Sequence, residues 1–485
     1  MKGVYSNKWA VLAVVTLVSF VTNVDATIIV IGLPALMKDL NIPIVTGMWT
    51  ITSYLITSTI FLLPAGRWAD IAGAKRIFLW GFAIFTIATV LCGLSGSGVM
   101  LIIFRLIQGV GAAFALATAT PIMMRAFPKE QLGLAIGINS TSWVIGSIIG
   151  PVVGGALISA FGWRSIFFVS APFGFIALVG GWFILKEWKV KQSVKTDWIG
   201  VTTFALALTA LLIALSQGQS WGWDSIRILG LLSTAVLLGA AFIITELKVK
   251  DPLFNLALYT HRLYTTGLGI TISYCIGYFS ITLLLALYLQ GAQHLSPLES
   301  GLLLIPLSLP QLVMGPLGGK LADSFGPIRM LLTGMILIAF SLLLLGNLGE
   351  HLSITGVIIP LLIISVANGF AWPSLAKTVL SAAPSEHAGA ASGMFYTVYN
   401  IGRVGSQTLT LLLLQLCVAP AIASRAFLGM GMESRTAKIS LVHVTDIGFR
   451  VYSLFFILAL LLGIGMLRDQ KRKHIYTEIE KQASR

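Results

Sequence analysis

Apolar residues in this chain come in blocks of about twenty, the length a helix needs to cross a hydrocarbon core roughly 30 Å thick at about 1.5 Å per residue. Such blocks lie near 9–31, 47–66, 77–97, 99–120, 135–158, 164–185, 198–216, 227–246, 263–290, 298–318, 328–348, 354–376, 388–416 and 450–468. Only 10 % of the 485 residues are charged and 56 % are hydrophobic, whereas a soluble domain carries roughly 25 % charge. So few charges cannot cover a surface in water. The predicted fold class is therefore all-α integral membrane, with fourteen transmembrane helices.

An even number of spans puts both termini on one side, and Lys and Arg choose that side. Of the 32 basic residues, Arg105 and Arg403 fall inside spans. Most of the others share the side of the termini, including Lys75 and Arg76, the run Lys186, Lys189, Lys191 and Lys195, and the tail Arg468, Lys471, Arg472 and Lys473. This bias predicts a multi-pass protein of the cell (inner) membrane with both termini cytoplasmic, and it accounts for the net charge of +14 without a nucleic-acid partner. The first apolar stretch, after Lys2 and Lys8, outruns a secretory signal and lacks a cleavage-like small-residue pair, so it is expected to stay as the first helix. Cys92, Cys275 and Cys417 have no C-x-x-C spacing, and no disulfide framework or metal site is expected.

The chain also repeats itself. Pro43 and Gly47 are echoed by Pro297 and Gly301; Gly66, Asp70 and Arg76 by Gly319, Asp323 and Arg329; Pro128, Glu130, Gly133, Gly137 and Gly146 by Pro384, Glu386, Gly389, Gly393 and Gly402. The matches predict two parallel six-helix bundles, 1–196 and 251–485, with 197–250 an inserted helix pair. The longest extracytoplasmic connection is expected at about 418–449, where it is long enough to form a flap. Duplicated bundles place a substrate path at their interface near the bilayer midplane.

Between the second and third spans runs Gly66-Arg67-Trp68-Ala69-Asp70-Ile71-Ala72-Gly73-Ala74-Lys75-Arg76, with a weaker copy from Gly319 through Asp323 to Arg329. Glycines allow a tight turn between closely approaching helix ends, and an acid followed by bases can form a charge pair in one conformation and break it in another. Span 4 carries Arg105-Leu106-Ile107-Gln108-Gly109; an Arg at depth costs at least about 2.5 kcal/mol, so it either meets a partner or snorkels to an interface. Span 5 carries Gly146, Gly150, Pro151, Gly154 and Gly155, which let helices pack backbone to backbone and permit a bend, or serve ordinary tight packing. Asp25, the one acid read well inside a span, must be paired or protonated, or else cap a neighbouring helix.

These segments resemble the loop, helix-4 and antiporter motifs of the major facilitator superfamily, and the resemblance covers nearly the whole chain. The stretch around Asp25, the Asp197-Trp198-Ile199-Gly200 segment and the helix count resemble the fourteen-helix drug:proton antiporters within it. The resemblance implies the major facilitator fold and export of drugs, dyes or antibiotics in exchange for protons, with Asp25 and Arg105 in proton coupling. It also implies Gly66, Asp70, Gly73, Lys75, Arg76 and Asp323 as a conformational loop, and the glycines of span 5 with Pro151 as a seam. Apart from Glu299 at the edge of the tenth span, no additional acid lies within spans 9–14, which disfavours a dicationic substrate.

Tyr54, Gln108, Trp143, Tyr396, Asn400 and Arg403 are candidates to line a substrate cavity, and aromatic residues equally serve packing or interfacial anchoring. Arg403 either attracts an anionic group, sits near an interface, or braces the fold. The partners expected are a small molecule, protons and lipid, with the chain functional as a monomer and no cofactor. No Gly-x-x-x-x-Gly-Lys-Ser/Thr loop is present, so ATP is not the expected driver. An enzyme is disfavoured because no helix presents a metal-ligand or nucleophile–base set, and a receptor or scaffold because short tails leave no room for a signalling domain. A specialised exporter of one metabolite, lipid or siderophore is the competing transport reading.

Overall fold

The computed structural model describes residues 7–42, 44–187, 196–249, 252–254, 256–295, 297–384, 387–418 and 435–483. A spanning segment must pair its backbone internally, because a hydrocarbon core offers no water to do so. The described residues are accordingly helical almost throughout, with no strand among them.

The helices are α1 Lys8–Asp39, α2 Ile44–Ala72, α3 Ala74–Gly93, α4 Gly98–Ala126, α5 Leu132–Phe161, α6 Ser165–Phe168 continued by Ser170–Ile184, α7 Trp198–Trp221 and α8 Ile226–Lys248. There follow α9 Arg262–Ala286 with a π turn at Leu287–Ala292, α10 Pro297–Ser308 continued by Gln311–Phe325, α11 Pro327–Leu345, α12 Ile354–Ser381, α13 Ala388–Cys417 and α14 Arg435–Ala483. Each predicted span has its helix, and among the described residues 11 of them are long and apolar enough to cross a membrane.

The connection expected over 418–449 is shorter than predicted. α14 already begins at Arg435 and carries Asp446 within it. Lys438, His443 and Asp446 lower the local hydropathy but do not stop a helix, so the helix outruns its apolar span. The remainder of that connection, 419–434 with Gly429 and Gly431, lies outside the described residues, as do Pro43, Lys189, Lys191, Lys195 and Glu386.

Short polar residues start the helices. Asn7 accepts from the amides of Trp9 and Ala10, Ser97 from Met100, Asp197 from Gly200, Ser225 from Ile228 and Ser353 from Gly356, each meeting an amide that the helix itself cannot pair. Between α2 and α3 the chain turns at Gly73 with φ 105°, and between α10 and α11 at Gly326 with φ 92°. Both are left-handed positions that a side chain would strain, so the two copies of the loop motif turn on the same glycine.

The chain divides into two compact units, Met1–Leu258 with Ala383–Thr397, and Tyr259–Ala382 with Val398–Arg485; α13 gives its first turns to one and the rest to the other. In the first unit α1 packs on α5, α2 and α3 on α4, and α3 and α1 on α6. In the second the order recurs, with α10 and α11 on α12, and α11 and α9 on α14. Glycines make these approaches close, since a methyl at Gly334 of α11 would stand 2.5 Å from Ala371 Cβ of α12. α7 and α8 pack mainly on each other. α8 leaves Val236 and Leu237 each 70 % exposed, an outward apolar face suited to lipid.

Candidate functional site

Ser97 fixes the start of α4, so Arg105 falls two turns inside the helix. Its side chain is 0 % exposed and does not snorkel. Arg105 Nη1 donates to Asp25 Oδ2 at 2.6 Å and to Gln108 Oε1 at 2.6 Å, and Nε donates to the Thr50 carbonyl at 2.9 Å. Gln108 sits one turn further on the same face of α4. It donates to Asp25 Oδ1 at 2.9 Å and to Thr89 Oγ1 at 2.6 Å. The guanidinium also lies 4.3 Å from the centroid of the Tyr54 ring, a cation–π contact.

Both Asp25 oxygens are thus held by side chains of α4, and among the described residues the carboxylate caps no helix. Arg105 Nη2 is buried with no partner among the described residues. An ion pair with no water around it must be matched charge for charge. The site pairs Asp25 with Arg105 and leaves one guanidinium nitrogen open to another acceptor.

The glycines of α5 are cut to the side of α1 that flanks Asp25. A methyl at Gly146 would stand 3.0 Å from Asn23 Oδ1 and 3.3 Å from the Val24 amide, and one at Gly154 would lie 2.5 Å from Ile28 Cγ1. At Gly150 it would collide with Thr27 Oγ1, whose hydroxyl donates to the Gly146 carbonyl at 3.2 Å. Gly155, expected in the same seam, is a correction: nothing lies within 4 Å of a methyl placed there, because it follows Gly154 by one residue and so points off the contact face. Pro151 is helical, and its side chain lies outside the described residues.

The loop motif is built differently from a simple acid–base pair. Asp70, at the end of α2, accepts from the amides of Gly389 and Ala390 at 2.9 Å each, in the first turn of α13, where helix amides are otherwise unpaired and the dipole favours an anion. Gly66 allows this approach, for a methyl there would strike the Gly389 carbonyl. Lys75 donates to the Trp182 carbonyl at 2.6 Å and Arg76 pairs with Glu187 at 3.6 Å. In the second unit Asp323 pairs with Lys377 at 2.5 Å. At the far end of α1, Trp163 Nε1 and Arg164 donate to Asp39 at 2.9 and 2.5 Å and hold its carboxyl below the usual range.

The proposed cavity residues separate into groups. Tyr54 and Gln108 join Asp25, while Trp143 stacks on Tyr396 with centroids 6.4 Å apart, and the Tyr396 hydroxyl meets Thr120 Oγ1 at 3.1 Å. Asn400 and Arg403 are half-buried in the second unit. The same unit holds Tyr274, Tyr278, Gln311 and Asn368, which the sequence reading missed. Tyr274 donates to Asn368 Oδ1; Asn368 Nδ2 donates to Gln311 Oε1 at 2.8 Å and to the Tyr278 hydroxyl at 3.2 Å; Gln311 Nε2 donates to the same hydroxyl at 3.0 Å. Trp372 lies against both Tyr274 and Tyr399. The available signal was an amide inside each of two apolar spans and two tyrosines one turn apart.

Asp25 is not the one buried acid in a helix. Glu246, read as the edge of span 8, is 4 % exposed and accepts from the amides of Leu253 and Phe254 at 3.2 and 2.9 Å. The chain folds back over the end of α8 and so buries it.

A sequence profile of the Major Facilitator Superfamily matches residues 15–407. The chain is 31 % identical over 406 residues to a tetracenomycin C resistance and export protein of Streptomyces glaucescens, covering 82 % of this chain and 74 % of that one. It is 29 % identical over 406 residues to the multidrug transporter protein MdtP of Bacillus subtilis, covering 83 % and 74 %, and 29 % identical over 396 residues to the riboflavin transporter RibZ of Clostridioides difficile, covering 81 % and 85 %. The solved proton:xylose symporter XylE superposes with TM-score 0.65 at 15 % identity, over 94 % of this chain and 95 % of that one. With its duplicated helix packing and a profile match over most of its length, the chain belongs to the major facilitator superfamily and is a multi-pass membrane protein.

Proposed function

We propose that the protein is a proton-coupled antiporter that exports small amphipathic compounds, with Asp25 as its proton site. The observation that carries this reading is the buried Asp25–Arg105–Gln108 network, an ionisable pair kept from water in helices of an exporter-like chain. A buried carboxylate must exchange its pairing for a proton when its neighbourhood changes. Protonating Asp25 removes the charge that holds Arg105 and frees a donor already short of one partner. α5 lies against the residues on either side of Asp25, so a shift of α5 along its glycines alters what surrounds the carboxylate. Asp70 on the first amides of α13 is then a contact that forms in one access state and breaks in the other.

The named exporters of tetracenomycin C and of multiple drugs support the direction and the amphipathic substrate. The Lys and Arg bias supports cytoplasmic termini and an inner-membrane location. On this reading α7 and α8 are an inserted pair beside two six-helix bundles, and the monomer is the working form. A narrower reading, export of one metabolite, is favoured by the ordered amide–tyrosine network of the second unit, which is more specific than an apolar cavity requires.

The test is uptake of fluorescent dyes into inverted vesicles under an imposed proton gradient, for the parent and for Asp25→Asn inserted to equal levels. Gradient-driven uptake in the parent that disappears in the variant is expected. Uptake indifferent to the substitution would remove Asp25 from the mechanism. Transport confined to one compound of a broad panel would select the narrower reading.

A further inference from the structure

The second unit presents a set of groups whose chemistry selects a ligand. Tyr274 and Tyr278, one turn apart on α9, have rings 5.9 Å apart and inclined by 16°. Trp372 lies 6.1 Å from Tyr274 and 5.2 Å from Tyr399, and Phe279 meets Tyr399 edge-on at 5.4 Å. Tyr274 is buried, but Tyr278, Phe279 and Trp372 are only partly so, which leaves ring surface for a ligand to cover. Flat rings favour flat ligands through offset and edge contacts.

The polar atoms among these rings are unevenly satisfied. The Tyr278 oxygen accepts from both Gln311 Nε2 and Asn368 Nδ2, so both its lone pairs are engaged and its proton remains to be donated. The two amides spend their N–H groups on each other, on Tyr278 and on the Leu307 carbonyl. The network therefore offers a phenolic donor to an incoming acceptor.

Arg403 supplies the charge. It stands on α13 next to Gly402, where a methyl would lie 2.7 Å from Cys275 Cβ and 3.1 Å from the Ile272 carbonyl of α9, so the backbone holds this position tightly. Its guanidinium lies over the face of Phe279 at 5.4 Å. Among the described residues no carboxylate pairs with it, whereas Asp323 is matched by Lys377 and Glu350 by Arg435. An arginine within an apolar helix ordinarily finds a partner charge, and a planar guanidinium is well shaped to hold an oxyanion by paired hydrogen bonds.

We infer that the second unit binds a planar aromatic compound bearing an ionised oxygen, a carboxylate or phenolate next to the ring, with the ring against Tyr278, Phe279 and Trp372 and the oxygen taken by Arg403 and the Tyr278 hydroxyl. This rests on the exporter reading above and names the substrate class for it. Cationic aromatic drugs are disfavoured at the same place, because the charge that the described residues set there, Arg403, has the wrong sign.

The test is equilibrium binding to the full-length protein in lipid nanodiscs, with no proton gradient and with binding to protein-free nanodiscs subtracted. The probes are anthracene-9-carboxylate and 9-(aminomethyl)anthracene, which share a ring and differ in charge. The carboxylate is expected to bind about ten-fold more tightly than the ammonium. Arg403→Gln is expected to bring that ratio close to one, Arg403→Lys to keep the preference for the carboxylate, and Trp372→Ala to weaken both probes alike. Tyr278→Phe, which keeps the ring, lowers carboxylate affinity several-fold and leaves the ammonium unchanged. An ammonium bound as tightly as the carboxylate by the parent, or a ratio unmoved by both Arg403→Gln and Tyr278→Phe, would overturn the inference. Because the assay needs no gradient, a charge preference without coupled transport would sink the antiporter reading alone, and coupled transport without the preference would sink this one alone.

Discussion

The two units share a packing order and a turning glycine, yet they spend their buried polarity in opposite ways. The first concentrates formal charge, with Asp25 and Arg105 matched at 2.6 Å and locked by Gln108. The second joins Tyr274, Tyr278, Gln311 and Asn368 by neutral hydrogen bonds. At the offsets that align the repeated motifs, 253 from Gly66 to Gly319 and 256 from Pro128 to Pro384, Asp25 falls against Tyr278–Ile281 and Arg105 against Ile358–Leu361. The same packing order occurs in both units; the fully buried Asp25–Arg105 pair stands in the first, while the second holds Arg403 and the Asp323–Lys377 pair apart from its neutral network. On the proposed reading the charged network answers to protons, and the neutral one, with Arg403 beside Phe279 in the same unit, answers to the shape, hydrogen bonding and charge of the small molecule.

The largest effect that sharpens this contrast is expected at the charged network. Asp25→Asn leaves Arg105 buried and unmatched, which costs about 3–5 kcal/mol. Gradient-driven transport should fall on the order of a hundred-fold, because the variant lacks the proposed proton site. Adding Arg105→Gln should recover much of the stability and none of the coupling. Thermal unfolding of the single and double variants measures the first, and vesicle uptake the second. A single variant as stable as the parent would mean that the pair is not sealed from water.

The neutral network should be weaker and differently read out. Asn368→Leu removes the acceptor of Tyr274 and the donor to Tyr278 and Gln311, leaving buried polar groups unpaired at a cost of about 1–3 kcal/mol. Substrate KM is expected to rise several-fold while the dependence on the proton gradient keeps its slope. Loss of gradient dependence in this variant would show that the two networks are not separate in function.

The repeated acids of the loop motif offer a finer comparison. Asp70 serves two amides at the start of α13, where a carboxylate is worth about 0.3–2 kcal/mol, while Asp323 meets the single ammonium of Lys377. Asp70→Asn should slow transport about ten-fold and Asp323→Asn two- to three-fold, in initial rates at matched expression. Equal losses would assign the two loops equal weight.

How far the sequence could be read depends on what each residue signals locally. Apolar length alone marked every helix, because a bilayer fixes the length and forbids alternatives. Asp25 and Arg105 stood out because a charge inside an apolar block is conspicuous, but Arg403 stood out equally, and which arginine meets Asp25 is seen only in the folded chain. Tyr274, Tyr278, Gln311 and Asn368 did not stand out, since each is common in membrane helices and the network exists only once α9, α10 and α12 are brought together. Glu246 was hidden for another reason, as its burial depends on Leu253 and Phe254 folding back over the helix end. The destination of Asp70 was likewise invisible, because a backbone amide hundreds of residues away carries no side-chain signature.

The smallest effect separates two glycines that the sequence made equivalent. Gly150 and Gly155 both lie in the glycine-rich stretch of α5, but a side chain at Gly150 meets Thr27 of α1 and one at Gly155 meets nothing within 4 Å. Gly150→Ala must therefore turn the Thr27 hydroxyl off the Gly146 carbonyl or push α5 away from the residues beside Asp25, at about 1 kcal/mol or more. Gly155→Ala adds a methyl in open space and removes a flexible residue from a helix, so stability should change by no more than about 0.5–1 kcal/mol, in the favourable direction. Transport by Gly155→Ala should match the parent. If it were instead impaired as much as Gly150→Ala, α5 would have to present its second face to another helix during the cycle, and the seam would be two-sided.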